Sequence, residues 1–313
     1  MFSFLLRRLG AGVVLVFIVT FLTFVLTYGA DIPVARNILG PSATEADVAL
    51  LNEQLGLDRP VLEQYWSWLT SAFAGDLGRS YFTSEPVAAA MSSRLPVTMS
   101  VVIVACVLTL VISCALGVAS AVRGGVLDSI LQGISTVAYV FPAIVLGIIM
   151  VYVFAITLQW VPAIGYVSLA DSPGLWLASV ALPALVLAIH GIAALASQIR
   201  GSLIDELNKE YVRTLRSRGF SERSIVLKHA LRNAASAGLT VFSLQFITLF
   251  GASLFIEKIF ALPGYGTYTY NSVVQGDLPA MMGVTLFSVL LVVVVNLLVD
   301  IANGWVNPKA RVA

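Results

Sequence analysis

The sequence predicts an all-α polytopic membrane protein with six transmembrane helices, and three observations carry that prediction. Only 11% of its 313 residues are charged and 58% are apolar, whereas an ordinary soluble domain carries about 25% charged residues. The apolar residues fall into six uncharged runs, at 9–30, 95–122, 129–170, 172–199, 234–256 and 278–299. Each is long enough to cross ~30 Å of hydrocarbon at about 1.5 Å per helical residue. The third observation is the placement of Lys and Arg. With the N-terminus inside, thirteen of the eighteen cations fall on the cytoplasmic side, as the positive-inside rule requires. That orientation places both chain ends, including Lys309 and Arg311, in the cytoplasm.

The first run follows Arg7 and Arg8, as a signal peptide would. It is longer than the ~7–15 apolar residues of a signal core and has no small-x-small cleavage site, so it reads as an anchor. The loop at 31–94 is the only large outside segment. Within it, TEADVALLNEQLGL reads as a helix capped by Thr44 with acids in its first turn. RPVLEQYWSWLTSAF reads as a second helix starting at Pro60, with Trp66 and Trp68 suited to a membrane interface. GDLGRS reads as a turn. The loop reads as a cap on the outer membrane face, compatible with docking of an external partner.

The second span holds both cysteines, Cys106 and Cys114. Eight residues of helix separate them by about 12 Å, beyond the ~7 Å reach of a disulfide, so they read as small interface residues. VRGGVLD is a tight inside turn. Pro142 and Gly147 in the third span, and Pro183 in the fourth, are helix breakers. Membranes tolerate these where neighbouring helices satisfy the freed carbonyls, so they mark kinks or breaks lining a path. LQWVPAIGYV and DSPGLW form a second outside loop. EKIFALPGYGTYTYNSVVQGDLP forms a third, combining a Pro-Gly turn with three tyrosines. No internal repeat or low-complexity linker divides the chain, which reads as one membrane domain, 1–313.

The sequence has no G-x-x-x-x-G-K-[ST], H-E-x-x-H, C-x-x-C or G-x-S-x-G motif, so neither a nucleotide-cradling loop nor a hydrolase or zinc site is expected. His190 reads as a hydrogen-bonded packing residue. Asp300, one turn after Asn296, is read as the only carboxylate in or near the end of a span. Its position near Lys309 and Arg311 favours a solvated or paired structural role over a proton relay.

The most charged stretch is the segment 200–233. On a helical wheel Leu203, Ile204, Leu207, Tyr211 and Leu215 fall within about 120° of one another. Asp205, Glu206, Lys209, Glu210, Arg213 and Arg216 lie opposite, which predicts an amphipathic helix of about four turns. Val212 and Arg218 depart from this division. Gly219 ends the helix in a left-handed conformation and Ser221 caps the next one, with Glu222 in its first turn. Phe220 is left on the corner. A DNA-binding helix-turn-helix fits the outline superficially but not the tether between two spans, so no nucleic acid is expected. A helix on anionic membrane lipid and a docking element with Phe220 as apolar anchor remain. Only docking explains an aromatic presented on a sharp bend.

YVRTLRSRGFSERSIVLKHALRNAASA resembles the coupling segment of ABC importer permeases of the dipeptide/oligopeptide/nickel branch, typically YVRTARAKG, LSER and HALRNALLP. The resemblance extends through LLRRL, LGLDRPVLEQYWSWL, GDLGRSYFTSEPV, RLPVTMSV, FIEKIFALPGYG, QGDLP and NLLVDIANGWVNPKARV. This chain departs where YGADIP replaces an A-P-G-D-P-like turn and where Ala237 replaces a proline. The resemblance implies a type I importer fold in the bacterial inner membrane, without catalysis by this chain. It implies pairing with a second, homologous permease, two cytoplasmic ATPase subunits that bind ATP and magnesium, and an extracellular solute-binding protein. Peptide is the leading substrate class, with nickel chelates and oligosaccharides carried by relatives. It assigns ATPase coupling to Tyr211, Thr214, Leu215, Arg216, Arg218, Gly219 and Phe220. For binding-protein docking, Gln64, Pro263, Gly264 and Tyr265 are the expected residues. A stand-alone channel or secondary transporter is the reading from another class.

Overall fold

The structure is a computed structural model that describes residues 2–30, 32–162 and 164–306. Asp31 (the expected start of the long loop), Ala163 of the second loop, and Lys309 and Arg311 lie outside the described residues. Among the described residues there is no strand, only an isolated bridge between Arg79 and Pro86. Among the described residues five helices are long and apolar enough to cross a membrane, and a bent pair makes a sixth if it counts as one span.

The chain forms two compact units. The first comprises residues 1–96 and 264–294. It contains α1 (Phe2–Gly29), α2 (Val34–Leu39), α3 (Glu45–Leu55) and α4 (Val61–Phe73). The start of α5 (Val87–Arg123), all of α12 (Tyr265–Gln275) and most of α13 (Leu278–Val306) complete it. Thr44 caps α3 in a reciprocal capping box with Asp47, and α4 starts directly after Pro60, as expected. The Thr44 hydrogen bonds hold the Asp47 carboxyl below its ordinary range. Phe24, Tyr65, Leu69, Leu278 and Met282 form the core, and the Tyr65 hydroxyl lies 3.0 Å from Thr20 Oγ1. Close backbone approach is built in: a Cβ on Gly283 would stand 2.5 Å from Val87 Cγ1.

The second unit comprises residues 97–263 and 295–313. It contains the rest of α5, α6 (Gly125–Val140), α7 (Ala143–Met150) with a wide π turn at Val151–Thr157, and α8 (Pro173–Leu207). After α9 (Glu210–Ser217), one helical run joins α10 (Glu222–Ser224), a π turn (Ile225–Ala230) and α11 (Leu231–Ile259). This run passes unbroken through Ala237. Small residues let α8 meet its neighbours. A Cβ on Gly117 would stand 2.8 Å from the Ala196 carbonyl, and one on Gly191 would meet Gln245 and Thr109. Membrane helices associate through such close packing because burial against lipid gives little net drive.

Two expectations need correction. The third run, where Pro142 is read as a helix breaker, bends by 95° between α6 and α7. Phe141 takes the extended conformation imposed on a residue before proline, and Pro142 starts α7. The Phe141 carbonyl is satisfied by His190 Nε2 at 2.7 Å, so His190 is a hydrogen-bonded packing residue. Gly147 and Pro183, read as kinks or path-lining breaks, lie inside the continuous helices α7 and α8 and are buried, so neither is a break. Gly147 is a contact glycine whose Cβ would meet Ile259 at 3.1 Å. Lastly, the tyrosine-rich third loop contains a regular helix, α12, closed by Gly276 in the left-handed conformation.

Candidate functional site

The predicted four-turn amphipathic helix is two pieces. Residues 203–207 are the end of α8, which stops at Asn208, and α9 restarts at Glu210. The break resets the helical phase. Val212, which the single-helix wheel could not place, is therefore fully buried, while Tyr211 and Leu215 are half-buried. Thr214, Arg216, Arg218, Gly219 and Phe220 are exposed.

The corner that follows is closed by its own backbone. The Gly219 N–H donates to the Arg216 carbonyl at 3.0 Å and the Phe220 N–H to the Leu215 carbonyl at 3.2 Å. That is the six-to-one, five-to-two pattern of a Schellman cap, and it requires a left-handed residue. Gly219 has φ +82°, and a Cβ there would meet nothing within 4 Å. Conformation, not crowding, therefore demands glycine. Ser221 caps the next helix through its hydroxyl and carbonyl, which accept from the Ser224 and Ile225 N–H groups. Arg216 bridges the bend, its Nε donating to Glu222 Oε1 at 2.6 Å and its second amine to Oε2 at 3.2 Å. This hydrogen-bonded guanidinium holds the Glu222 carboxyl below its usual range. Phe220 stands on the bend, 45% exposed, with the His229 ring edge-on at 5.9 Å.

Beneath the corner lies a group that sequence reasoning placed on the solvent side. Glu206 is 6% exposed. It pairs with the Lys209 ammonium and accepts at 2.9 Å from both the Tyr211 hydroxyl and the Asn233 amide. The signal was present in the spacing of Ala196, Ile199, Leu203 and Glu206, which continues the buried face of α8 at steps of three and four. Asp128 was missed too. It binds Arg200 bidentately, with Nε at 2.6 Å, and accepts from Ser120. Glu257, fully buried at the end of α11, accepts from the Thr98 hydroxyl. Asp300 is thus not the only carboxylate in or near a span end.

The residues expected to dock a binding protein do not share one environment. Pro263 is exposed, Gly264 is buried, and Tyr265 is only 3% exposed. The Tyr265 hydroxyl donates to the Val284 carbonyl at 2.5 Å, so this residue is core rather than surface. Gln64 is half-buried and donates to the Leu57 and Arg59 carbonyls at 3.2 and 2.7 Å, fastening the turn before α4. In the same unit, buried Asp277 accepts from Ser80 Oγ at 2.5 Å and the Tyr81 N–H at 3.2 Å. Burial and then this carboxylate push the Tyr81 phenol up to about 12.

The fold is similar to that of the MetNI methionine ABC transporter in an inward-facing structure, with a TM-score of 0.56 at 20% identity over 67% of this chain and 93% of that one. Residues 113–312 match the binding-protein-dependent transport system inner membrane component, and residues 1–102 match the N-terminal membrane component of such systems. The chain belongs to this family and is a multi-pass inner membrane protein. It is 38% identical, over 99% of both chains, to a Brucella abortus protein named for a peptide transport system permease. It is 35% identical to the glutathione transport system permease protein GsiC of Escherichia coli K12, again over 99% of both chains.

Proposed function

We propose that this chain is the permease of an ATP-driven peptide importer and that the Gly219–Phe220 corner couples it to a cytoplasmic ATPase. The observation that carries the coupling role is Phe220, an aromatic left half-exposed on a bend otherwise closed by a cap and an ion pair. A surface aromatic on a stiff support is the usual anchor of a protein interface. Peptide as substrate rests on relatives named for peptide and glutathione transport. Two permease chains form the path, two ATPase subunits bind ATP and magnesium, and an external solute-binding protein delivers the substrate. The chain ends and the corner are cytoplasmic, following the cation asymmetry of the sequence. ATP drives transport by binding two states of the assembly unequally.

Phe220→Ala and Gly219→Val test this reading in the purified complex reconstituted with its partners. Removing the anchor costs at least about 2 kcal/mol of ATPase binding, roughly thirtyfold. A β-branched residue at Gly219 strains the left-handed turn and lowers uptake even where assembly survives. Normal uptake of labelled dipeptide by both variants would reject the coupling role.

A further inference from the structure

We propose that Glu206 is a positioning residue that makes the Gly219 corner move as one body with the end of α8. This rests on the coupling role proposed above. The backbone does not supply that rigidity, because the helix is interrupted between Leu207 and Glu210. The apolar contacts beneath the corner, among Leu203, Leu207, Val226 and Ala230, are non-directional and permit sliding and rotation. Glu206 supplies directional contacts. Its carboxylate is held by Lys209 in the link, by Tyr211 in the first turn of α9 and by Asn233 in the first turn of α11. The Asn233 amide also lies 3.3 Å from the Tyr211 hydroxyl, closing the cluster into a ring. Three chain segments thus converge on one buried anion.

A buried carboxylate is costly unless fully paired, and apolar residues of similar volume often give equal or better stability in its place. Stability alone therefore does not account for an acid here. Directional fixation does: α9 cannot rotate about the Asn208 break without breaking the Tyr211 hydrogen bond to Glu206, so displacement of the corner is delivered to α8 and α11 together. In this account Tyr211 faces the permease interior, not the ATPase.

The test uses the reconstituted complex carrying Glu206→Met, Glu206→Gln, Tyr211→Phe or Asn233→Ala. Thermal stability, ATPase co-purification, binding-protein-stimulated ATP hydrolysis and dipeptide uptake are measured for each. Glu206→Met is expected to assemble and hydrolyse ATP while uptake per ATP falls about tenfold, the scale of one lost charge-assisted contact. Glu206→Gln still accepts from Tyr211 and Asn233 and is expected to restore at least half of the coupling. Unchanged uptake per ATP in Glu206→Met, or a Gln variant no better than Met, would overturn the inference. Phe220→Ala and Gly219→Val in the same preparation separate the two claims. If both transport normally, the coupling role fails; if only these are impaired, the Glu206 inference fails alone.

Discussion

Gly219–Phe220 and Gly264–Tyr265 are both glycine–aromatic pairs at the start of a new helical stretch, yet they present their rings in opposite ways. Tyr265 is buried, and its hydroxyl reaches the Val284 carbonyl and the Ser288 side chain. Phe220 is 45% exposed, with the His229 ring edge-on to it. The first aromatic holds its own unit together. The second adds little to folding and is available to something else. The same two-letter pattern therefore marks a core element in one place and a proposed contact surface in the other.

Substitution should separate the two. Tyr265→Ala opens a core cavity and should cost ~3–5 kcal/mol of stability, visible as a large fall in the unfolding temperature in detergent. Phe220→Ala should stay within about 1 kcal/mol in the same assay, as surface changes do, while losing transport. Comparable destabilisation by both would dissolve the contrast.

The smallest effect belongs to the exposed pair across the bend. Arg216→Ala should change stability by less than about 1 kcal/mol, because solvent screens such pairs. The sign with pH is defined. Glu222 titrates lower in the folded chain than its ordinary value of 4.5, so the pair's contribution is complete above that value and lost as pH falls through the depressed one. Acid unfolding profiles of the wild type and Arg216→Ala should therefore converge at low pH. A difference that grows toward low pH would contradict this assignment.

Much of the fold was legible because the bilayer imposes long uncharged runs. Five of the six runs correspond to single helices, and Thr44, Gly219 and Ser221 all act as turn chemistry predicts. Tertiary partners were not legible. The acids Glu206, Asp128 and Glu257 look like ordinary loop charges until Asn233, Arg200 and Thr98 arrive from segments far along the chain. Phase was lost where the helix restarts at Glu210, so Tyr211 read as one face of a single helix and Val212 as an exception. The PGYG turn misled for a related reason: tyrosines beside proline and glycine read as an exposed loop, but α12 turns Tyr265 and Tyr268 inward. At Pro142 the break was readable, whereas its partner His190 was not assignable without the fold.

The central claim, that the Gly219 corner meets an ATPase subunit through Phe220, is tested most directly by placing a photoreactive phenylalanine analogue at that position. The assembled importer is irradiated in intact membranes and the adducts are identified by mass spectrometry. The account predicts a single major adduct between Phe220 and an apolar pocket of the ATPase subunit. Adducts with lipid alone, in a complex that still transports peptide, would contradict it.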